Sequence, residues 1–195
     1  MGEAGGRIRA FVGVPLEPQA RAGVGQLLER LRRRCERAGW RANWVPPANL
    51  HLTLEFLGWV ETGRVDAIAA ALAPLSAHPP FEMHLSGLGA FPPRGRPRVL
   101  WLGVREGAEA LEAIAAEVED RLEDLGFPPE QRPFHPHLTL ARVKTAPRDA
   151  RDVVHALADA EGGTSTVREV VLYQSRLRRE GPEYTPMARA LLVGE

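Results

Sequence analysis

Two stretches of the chain, 86 residues apart, repeat the same four residues inside the same kind of apolar run. The first is NLHLTLEFLG, residues 49–58, and the second is PHLTLARV, residues 136–143. Their surroundings correspond as well, because Gly13 and Gly103 lie 90 residues apart in similar apolar stretches. Such a nearly constant offset indicates an internal duplication. It restricts the chain to folds that are built from two similar halves.

Each half predicts the same order of strands and helices. In the first half we predict a strand over 8–14, a helix over about 18–38, the HLTL strand, a helix over about 62–75 and a strand over 81–88. In the second half we predict a strand over 99–104, a helix over about 108–125, the HLTL strand, a helix near 150–160 and a strand over 167–173. A closing strand over 187–193 ends the chain.

The duplication and the length together predict one domain with two lobes. With 195 residues, 44% of them hydrophobic and 26% charged, the chain is long enough to bury a sizeable core. We expect a single two-lobed domain over 1–195, with sequence halves at about 8–90 and 98–175. The class is α+β, and a pseudo-twofold axis would place the two HLTL strands opposite one another across a central groove.

The charge balance excludes a general electrostatic attraction to nucleic acid. Lys plus Arg equals Asp plus Glu at 25 each, so a contact with an anion must rest on local clusters. RLRRRCER reads as a solvated helix face, whereas RGRPR, residues 94–98, lies in a Pro/Gly-rich loop that is a candidate for holding an anionic substrate.

Cysteine usage and hydropathy suggest where the protein works. Cys35 is the only cysteine, which excludes an intrachain disulfide and a cysteine-based zinc site and suits a reducing compartment. Nowhere do 18 apolar residues run together, so no membrane span is predicted. We expect a cytoplasmic protein that is not bound to a membrane.

The repeated motif places its polar residues on one face of each strand. Side chains alternate with period two, so His51 and Thr53 share one face while the leucines beside them share the other. His137 and Thr139 repeat the arrangement. Two imidazoles and two hydroxyls in one groove suit acid/base chemistry on a phosphate, because one imidazole can take a proton while the other delivers one. The threonine hydroxyls can donate hydrogen bonds to phosphoryl oxygens.

Two other interpretations of these histidines carry less weight. A single histidine on an apolar strand is more often structural, but the duplication favours a functional pair. His135 and His137 form a His-x-His pair that could ligate a metal. No carboxylate or cysteine accompanies them at a familiar ligand spacing, so we expect no metal site.

In these residues the chain resembles the two-histidine phosphoesterases, specifically the RNA 2′,3′-cyclic phosphodiesterases that are also called 2′-5′ RNA ligase-like proteins. The resemblance covers nearly the whole chain. It is carried by RAFVGVPL, NLHLTLEFLG, PRVLWLGV, FHPHLTLARV and LYQSRLRREGPEYTPMARALL. The sequence departs from the family near its end, where Ala190 follows Arg189 in place of the frequent aromatic residue.

The resemblance implies two concave antiparallel sheets that face a central groove, with helices outside and no cofactor. It implies an enzyme that hydrolyses an RNA-terminal 2′,3′-cyclic phosphate to a 2′-phosphate, acting on RNA ends or nucleotides as a monomer. By the same resemblance, His51 is the general acid and His137 the general base, while Phe56 and Arg142 sandwich the terminal base. An aromatic face and a planar guanidinium both stack on any base, which supports that part of the prediction.

Two alternatives remain at the level of sequence. One is a 2′-5′ RNA ligase that joins a 2′,3′-cyclic phosphate to a 5′-hydroxyl through the same histidines. The other is a noncatalytic protein that binds RNA ends, which the presence of both histidines and both threonines disfavours.

Overall fold

The computed structural model describes residues 6–130, 132–148, 150–179 and 181–194. Its strands are β1 (Arg7–Pro15), β2 (Arg41–Trp44), β3 (His51–Glu61), β4 (Phe81–Phe91), β5 (Val99–Val104), β6 (His137–Thr145), β7 (Glu161–Val167), β8 (Glu169–Arg178) and β9 (Gly181–Leu191). Its α-helices are α1 (Pro18–Arg37), α2 (Val65–Leu72), α3 (Ala108–Glu123) and α4 (Ala150–His155). Short 3₁₀ turns cover Pro47–Asn49, Thr62–Arg64 and Ala73–Ala77.

The strands form one curled antiparallel sheet in the order β7-β4-β5-β6-β3-β1-β8-β9, with β2 added on β6. The predicted α+β class is confirmed, and the two predicted sheets are the two halves of this one curled sheet. The two sheets are joined at their centre, where β3 meets β6 at the single residue pair Leu52 and Leu138. This junction places the two HLTL segments side by side.

The two halves of the sheet exchange strands between the sequence halves. β4 belongs to the first half but pairs with β5 and β7 of the second. β8 belongs to the second half but pairs with β1 of the first. Each half of the sheet therefore contains strands from both halves of the sequence, which ties the two repeats together.

The core lies behind the sheet, on the face opposite the polar residues of the two motifs. Leu52 and Leu138 are fully buried, and the inward faces of α1 and α3 belong to the same apolar core. The imidazoles and hydroxyls of the motifs are only half-buried. Period-two alternation thus separates a core face from a groove face, as the sequence predicts.

An irregularity in β3 changes which residues face the groove. Thr53 pairs with Gly13 and Phe56 pairs with Phe11, so one extra residue lies between these two pairs. A bulge of this kind shifts the alternation by one position. As a result Phe56 returns to the groove face and is exposed, while Glu55, which pairs with the buried Val12, is itself buried.

Several predicted bounds differ from the observed ones for identifiable reasons. The α-helical part of the predicted helix over 62–75 is α2, flanked by 3₁₀ turns, and α4 ends at His155 before a series of turns. The sequence predicts neither β2 nor β7. For β7 the reason is that it is the polar, glycine-containing stretch EGGTSTV. The closing strand starts earlier than predicted, at Gly181, since β9 is an edge strand that tolerates Pro182 and Pro186. Within the described ranges no helix is long and apolar enough to cross a bilayer.

Candidate active site

The groove face of the central strands gathers the residues singled out from the sequence. A cavity of about 380 Å³ lies beside the junction of β3 and β6. Five of the six predicted site residues line it: Thr53, Phe56, His137, Thr139 and Arg142. The sixth, His51, lies on the wall of an adjoining cavity and is hydrogen-bonded to Thr53.

Both catalytic candidates are held by the same backbone contact. The Nδ1 atom of His51 lies 2.7 Å from the carbonyl oxygen of Asn49. The Nδ1 atom of His137 lies 2.7 Å from the carbonyl oxygen of His135. In each case the partner is the residue two positions earlier in the chain. The duplication has therefore preserved the orientation of the ring as well as the motif.

These contacts determine which ring nitrogen carries the exchangeable proton. A carbonyl oxygen only accepts hydrogen bonds, so Nδ1 must be the donor in both rings. When the imidazole is neutral, Nε2 then carries a lone pair and can accept a proton, and when it is charged, Nε2 can deliver one. The Nε2 atom of His51 lies 3.1 Å from the Thr53 hydroxyl, which donates to it in the neutral form.

Three aromatic rings enclose His51. The ring centroids of Phe11 and His51 lie 4.7 Å apart, and Tyr184 meets the His51 ring edge-on at 5.0 Å. Tyr173 stacks on Phe11 at 5.1 Å and completes the wall. A side chain at Gly13 would collide with the Leu52 carbonyl, with a Cβ only 2.7 Å from that oxygen, so glycine permits this close packing. The imidazole of His51 is thereby held between fixed rings.

The surroundings of His137 are built differently. Phe91 meets its ring edge-on at 5.2 Å, and Trp101 lies 6.2 Å away. Trp101 occupies the position in β5 that Phe11 occupies in β1, and its large indole lies over Gly89 of β4. A Cβ at Gly89 would come within 2.1 Å of the indole, so glycine makes room for it.

Burial lowers the pKa of both histidines below the ordinary 6.5, and the hydrogen bond from Nδ1 to the backbone opposes this in both. For His137 the positive charge of Arg142, and that of His135 when its ring is protonated, lower the pKa further. No such cationic contribution acts on His51. Burial, the largest cause, therefore disfavours the imidazolium form at both histidines, and the charge of Arg142 adds to it at His137.

Glu55 is a titratable group of this region that the sequence did not single out. It is only 2% exposed, and its Oε2 atom is buried without a hydrogen-bond partner among the described residues. Burial raises the pKa of its carboxyl to about 8, with further contributions from Glu119 and Glu130. The corresponding position in β6 is the fully buried Ala141. A lone acidic residue inside an apolar strand is the sequence signal that could have indicated it.

The aromatic rings around the histidines were also missed. Phe11 and Trp101 each stand two residues before the glycines that mark the duplication, so an alignment of the two halves over their first strands would have found them. Tyr173 and Tyr184 come from β8 and β9, and only the strand exchange brings them to His51.

The described residues contain no group of three or more His, Cys, Asp or Glu side chains that could hold a metal ion. His135 is near His137, with ring centroids 6.1 Å apart, but its carbonyl oxygen binds the Nδ1 atom of His137. That contact occupies one of the two nitrogens that His137 could offer to a metal.

Comparisons with known proteins agree with this geometry. The family described as the 2′-5′ RNA ligase superfamily matches residues 48–179. The RNA 2′,3′-cyclic phosphodiesterase of Aeropyrum pernix is 43% identical over 164 residues, which cover 83% of this chain and 92% of that protein.

Two solved structures share the fold over nearly the whole chain. The protein TT0787 of Thermus thermophilus superposes with a TM-score of 0.80 at 32% identity, covering 96% of this chain and 100% of the other. LigT of Escherichia coli complexed with 3′-AMP gives a TM-score of 0.75 at 28% identity, covering 96% and 99%.

A duplicated antiparallel sheet that brings two His-x-Thr pairs to one groove defines the class of two-histidine phosphoesterases. Within that class, the chain belongs to the 2′-5′ RNA ligase superfamily.

Proposed function

We propose that this protein is an RNA 2′,3′-cyclic phosphodiesterase, which hydrolyses the cyclic phosphate at an RNA end to a 2′-phosphate. The observation that carries the proposal is the pair of imidazoles on the joined strands β3 and β6, each with Nδ1 bonded to a backbone carbonyl, so that Nε2 is the nitrogen that can transfer a proton. Relatives named RNA 2′,3′-cyclic phosphodiesterase at 43% and 33% identity support it.

His137 acts as the general base. Its neutral Nε2 takes a proton from a water molecule, and the water oxygen attacks phosphorus in line with the bond to O3′. Burial and the positive charge of Arg142 favour this role, because they disfavour the protonated ring before the reaction begins.

His51 acts as the general acid. As the O3′–P bond breaks, protonated Nε2 delivers its proton to the departing ribose O3′, while O2′ keeps the phosphate. The reaction leaves His137 protonated and His51 neutral, and proton exchange with solvent restores the starting state. Because Nδ1 of His51 is bonded to the carbonyl oxygen of Asn49, Nε2 is the nitrogen that releases this proton.

The two threonines and the two residues beyond the motifs complete the site. Thr53 and Thr139 donate hydrogen bonds to the phosphoryl oxygens, where negative charge must be stabilised. Phe56, which is 60% exposed, and Arg142 line the same cavity and sandwich the terminal base. Stacking of this kind accepts any base.

The decisive experiment offers the purified protein an RNA oligonucleotide that ends in a 2′,3′-cyclic phosphate, in the presence of EDTA. We expect turnover, with the product end mapped as a 2′-phosphate, since the histidines supply both protons. Activity that is lost on chelation and restored by zinc or manganese would contradict the proposal and revive His135 as a ligand. Binding without turnover would identify a noncatalytic RNA-end protein.

One observation favours ligase activity as a second candidate. A cavity of about 510 Å³ adjoins the site beyond Phe91, and Arg96, Arg98 and Arg132 line it without a carboxylate among its described residues. It could hold the phosphates of an incoming RNA end near His137. Adding an RNA with a 5′-hydroxyl to the same reaction tests this, because a joined product with a 2′-5′ linkage would establish the ligase.

We further propose that the protein acts as a monomer in the cytoplasm. Both half-sites are contributed by one chain, so no second copy is needed to complete the groove. The single cysteine, Cys35, is buried, which suits a reducing compartment. Sedimentation of the active protein would test the monomer.

A further inference from the structure

His51, Tyr173 and Tyr184 line a second cavity, and apart from His51 the proposed reaction uses none of its residues. This His51 cavity has a volume of about 550 Å³ and adjoins the groove cavity at the hydrogen bond between His51 and Thr53. Its walls come from the end of β1, the start of α1 and the β8–β9 hairpin. Its size is in the range of cavities that hold small ligands.

The charged residues of the His51 cavity favour an anion. Three arginines and two glutamates line it, which leaves one net positive charge, and protonation of His51 would add another. Arg168 pairs with Glu17 at 3.2 Å, and Arg189 pairs with Glu169 at 2.5 Å. Each arginine uses one nitrogen in its pair, so further N–H groups remain to bind a phosphate.

Arg21 adds an observation that does not depend on net charge. One of its terminal nitrogens donates to the carbonyl oxygen of Leu16 at 3.0 Å. Its Nε atom is buried and has no hydrogen-bond partner among the described residues. A buried donor without a partner costs stability, and such a group in a native protein calls for an explanation. A ligand in this cavity would supply the missing acceptor.

The proposed roles of the histidines fix which part of a substrate comes near this cavity. His51 protonates O3′, so the ribose of the terminal nucleotide lies on its side of the phosphorus, and the attacking water lies on the side of His137. The preceding part of the RNA is attached to that ribose through C5′. It therefore leaves the groove toward His51 rather than toward His137.

We propose that the His51 cavity binds the nucleotide that precedes the terminal one, with its arginines holding the phosphodiester between the two. The inference rests on the proposed function and adds a subsite to it, which would make the enzyme prefer RNA ends to cyclic mononucleotides. Tyr173 and Tyr184 form the side of the cavity next to His51 and offer aromatic surface and hydroxyl donors to the same nucleotide.

The test compares two substrates with each variant: adenosine 2′,3′-cyclic phosphate, and the dinucleotide ApA that ends in the same cyclic phosphate. We expect kcat/KM to be at least about tenfold higher for the dinucleotide, given the usual contribution of hydrogen bonds to charged groups. The ratio of kcat/KM for the dinucleotide to kcat/KM for the cyclic mononucleotide is the quantity to compare between variants. Arg189→Gln and Arg168→Gln should each reduce this ratio severalfold. A dinucleotide with an uncharged methylphosphonate linkage should lose most of the advantage.

Arg178→Gln is the matched control. Arg178 lies on the same hairpin as Arg189, is similarly exposed at 54% against 50%, and pairs with Glu183 at 2.9 Å, but it lines neither cavity. This variant should keep the ratio of the wild type. If Arg178→Gln reduces this ratio as much as Arg189→Gln does, the proposal is overturned, because the reduction would then come from a general disturbance of the hairpin.

The remaining outcomes separate the inference from the proposed function. Equal kcat/KM on the two substrates overturns the inference alone, whereas inactivity on both overturns the proposed function and the inference with it. If Arg96→Gln reduces the dinucleotide advantage and Arg189→Gln does not, the preceding nucleotide binds in the cavity lined by Arg96, Arg98 and Arg132. That result also refutes the inference.

Discussion

The two histidines have the same sequence motif and the same backbone contact, but different neighbours. His51 lies among Phe11, Tyr173 and Tyr184, and no cation lowers its pKa. His137 lies against Phe91 and Trp101, and the positive charge of Arg142 disfavours its protonation. Burial disfavours the imidazolium form of both rings, but only His137 has this added charge. Identical motifs therefore do not imply identical surroundings.

Replacing either histidine tests the comparison with the largest expected effect. His51→Ala and His137→Ala should each reduce kcat by roughly 10²- to 10⁴-fold, the range typical of a general acid or base. The double variant should be little worse than either single one, because residues that act as a unit are not additive. Single-turnover kinetics on a cyclic phosphate substrate provide the measurement. Additive losses would show that the two rings act independently.

A substrate whose leaving group needs no proton separates the two roles. A nitrophenyl phosphodiester should restore activity to His51→Ala and leave His137→Ala inactive, because only the acid becomes dispensable. Rescue of His137→Ala instead would exchange the roles. Equal inactivity of both variants would mean that the histidines position the phosphate without transferring protons.

Glu55 and Ala141 occupy corresponding positions of the two strands, and the acidic one should make stability depend on pH. The pKa of the Glu55 carboxyl is raised in the folded state from 4.5 to about 8, so the unfolded chain loses this proton first. Stability is then lost as the pH rises through that window, by on the order of 5 kcal/mol in total. Glu55→Gln should remove this loss and be the more stable protein at pH 8.

Denaturant unfolding of wild type and Glu55→Gln at pH 5 and pH 8 measures the effect. Glu61→Gln serves as the control, because Glu61 ends the same strand and is exposed. If Glu55→Gln and the wild type lose the same amount of stability between the two pH values, Glu55 is already ionised in the folded protein.

Most of the fold and the centre of the site could be predicted from the sequence, because the signal is duplicated. Period-two alternation in the two HLTL segments places the histidines and threonines on one face, and the bounds of β5 were predicted without error. The exchange of β4 and β8 between the lobes could not be predicted, since it depends on which strand edges meet. The same holds for Tyr173 and Tyr184, which reach His51 only through that exchange.

Phe56 and Arg142 are also corresponding residues, and their replacement should have intermediate effects. Phe56→Ala and Arg142→Ala should each weaken substrate binding by about 1 to 3 kcal/mol, the contribution of stacking on one base. The loss should be alike for all four terminal bases. Competition with cyclic mononucleotides of each base measures it. A change in base preference would indicate that one of the two residues reads the base edge through hydrogen bonds.

The smallest effect concerns the charge that distinguishes the two histidines. NMR titration should give pKa values below 6.5 for both His51 and His137, because burial lowers both. If the two rings interact, the measured pKa values describe the titration of the pair and not of each ring alone. Arg142→Gln should raise the pKa of His137, because it removes one nearby positive charge, and should leave the pKa of His51 unchanged. Arg142→Lys keeps the charge and should leave both values in place. Equal shifts of the two histidines in Arg142→Gln would show that Arg142 acts on the groove as a whole, and its charge would then no longer distinguish the base from the acid.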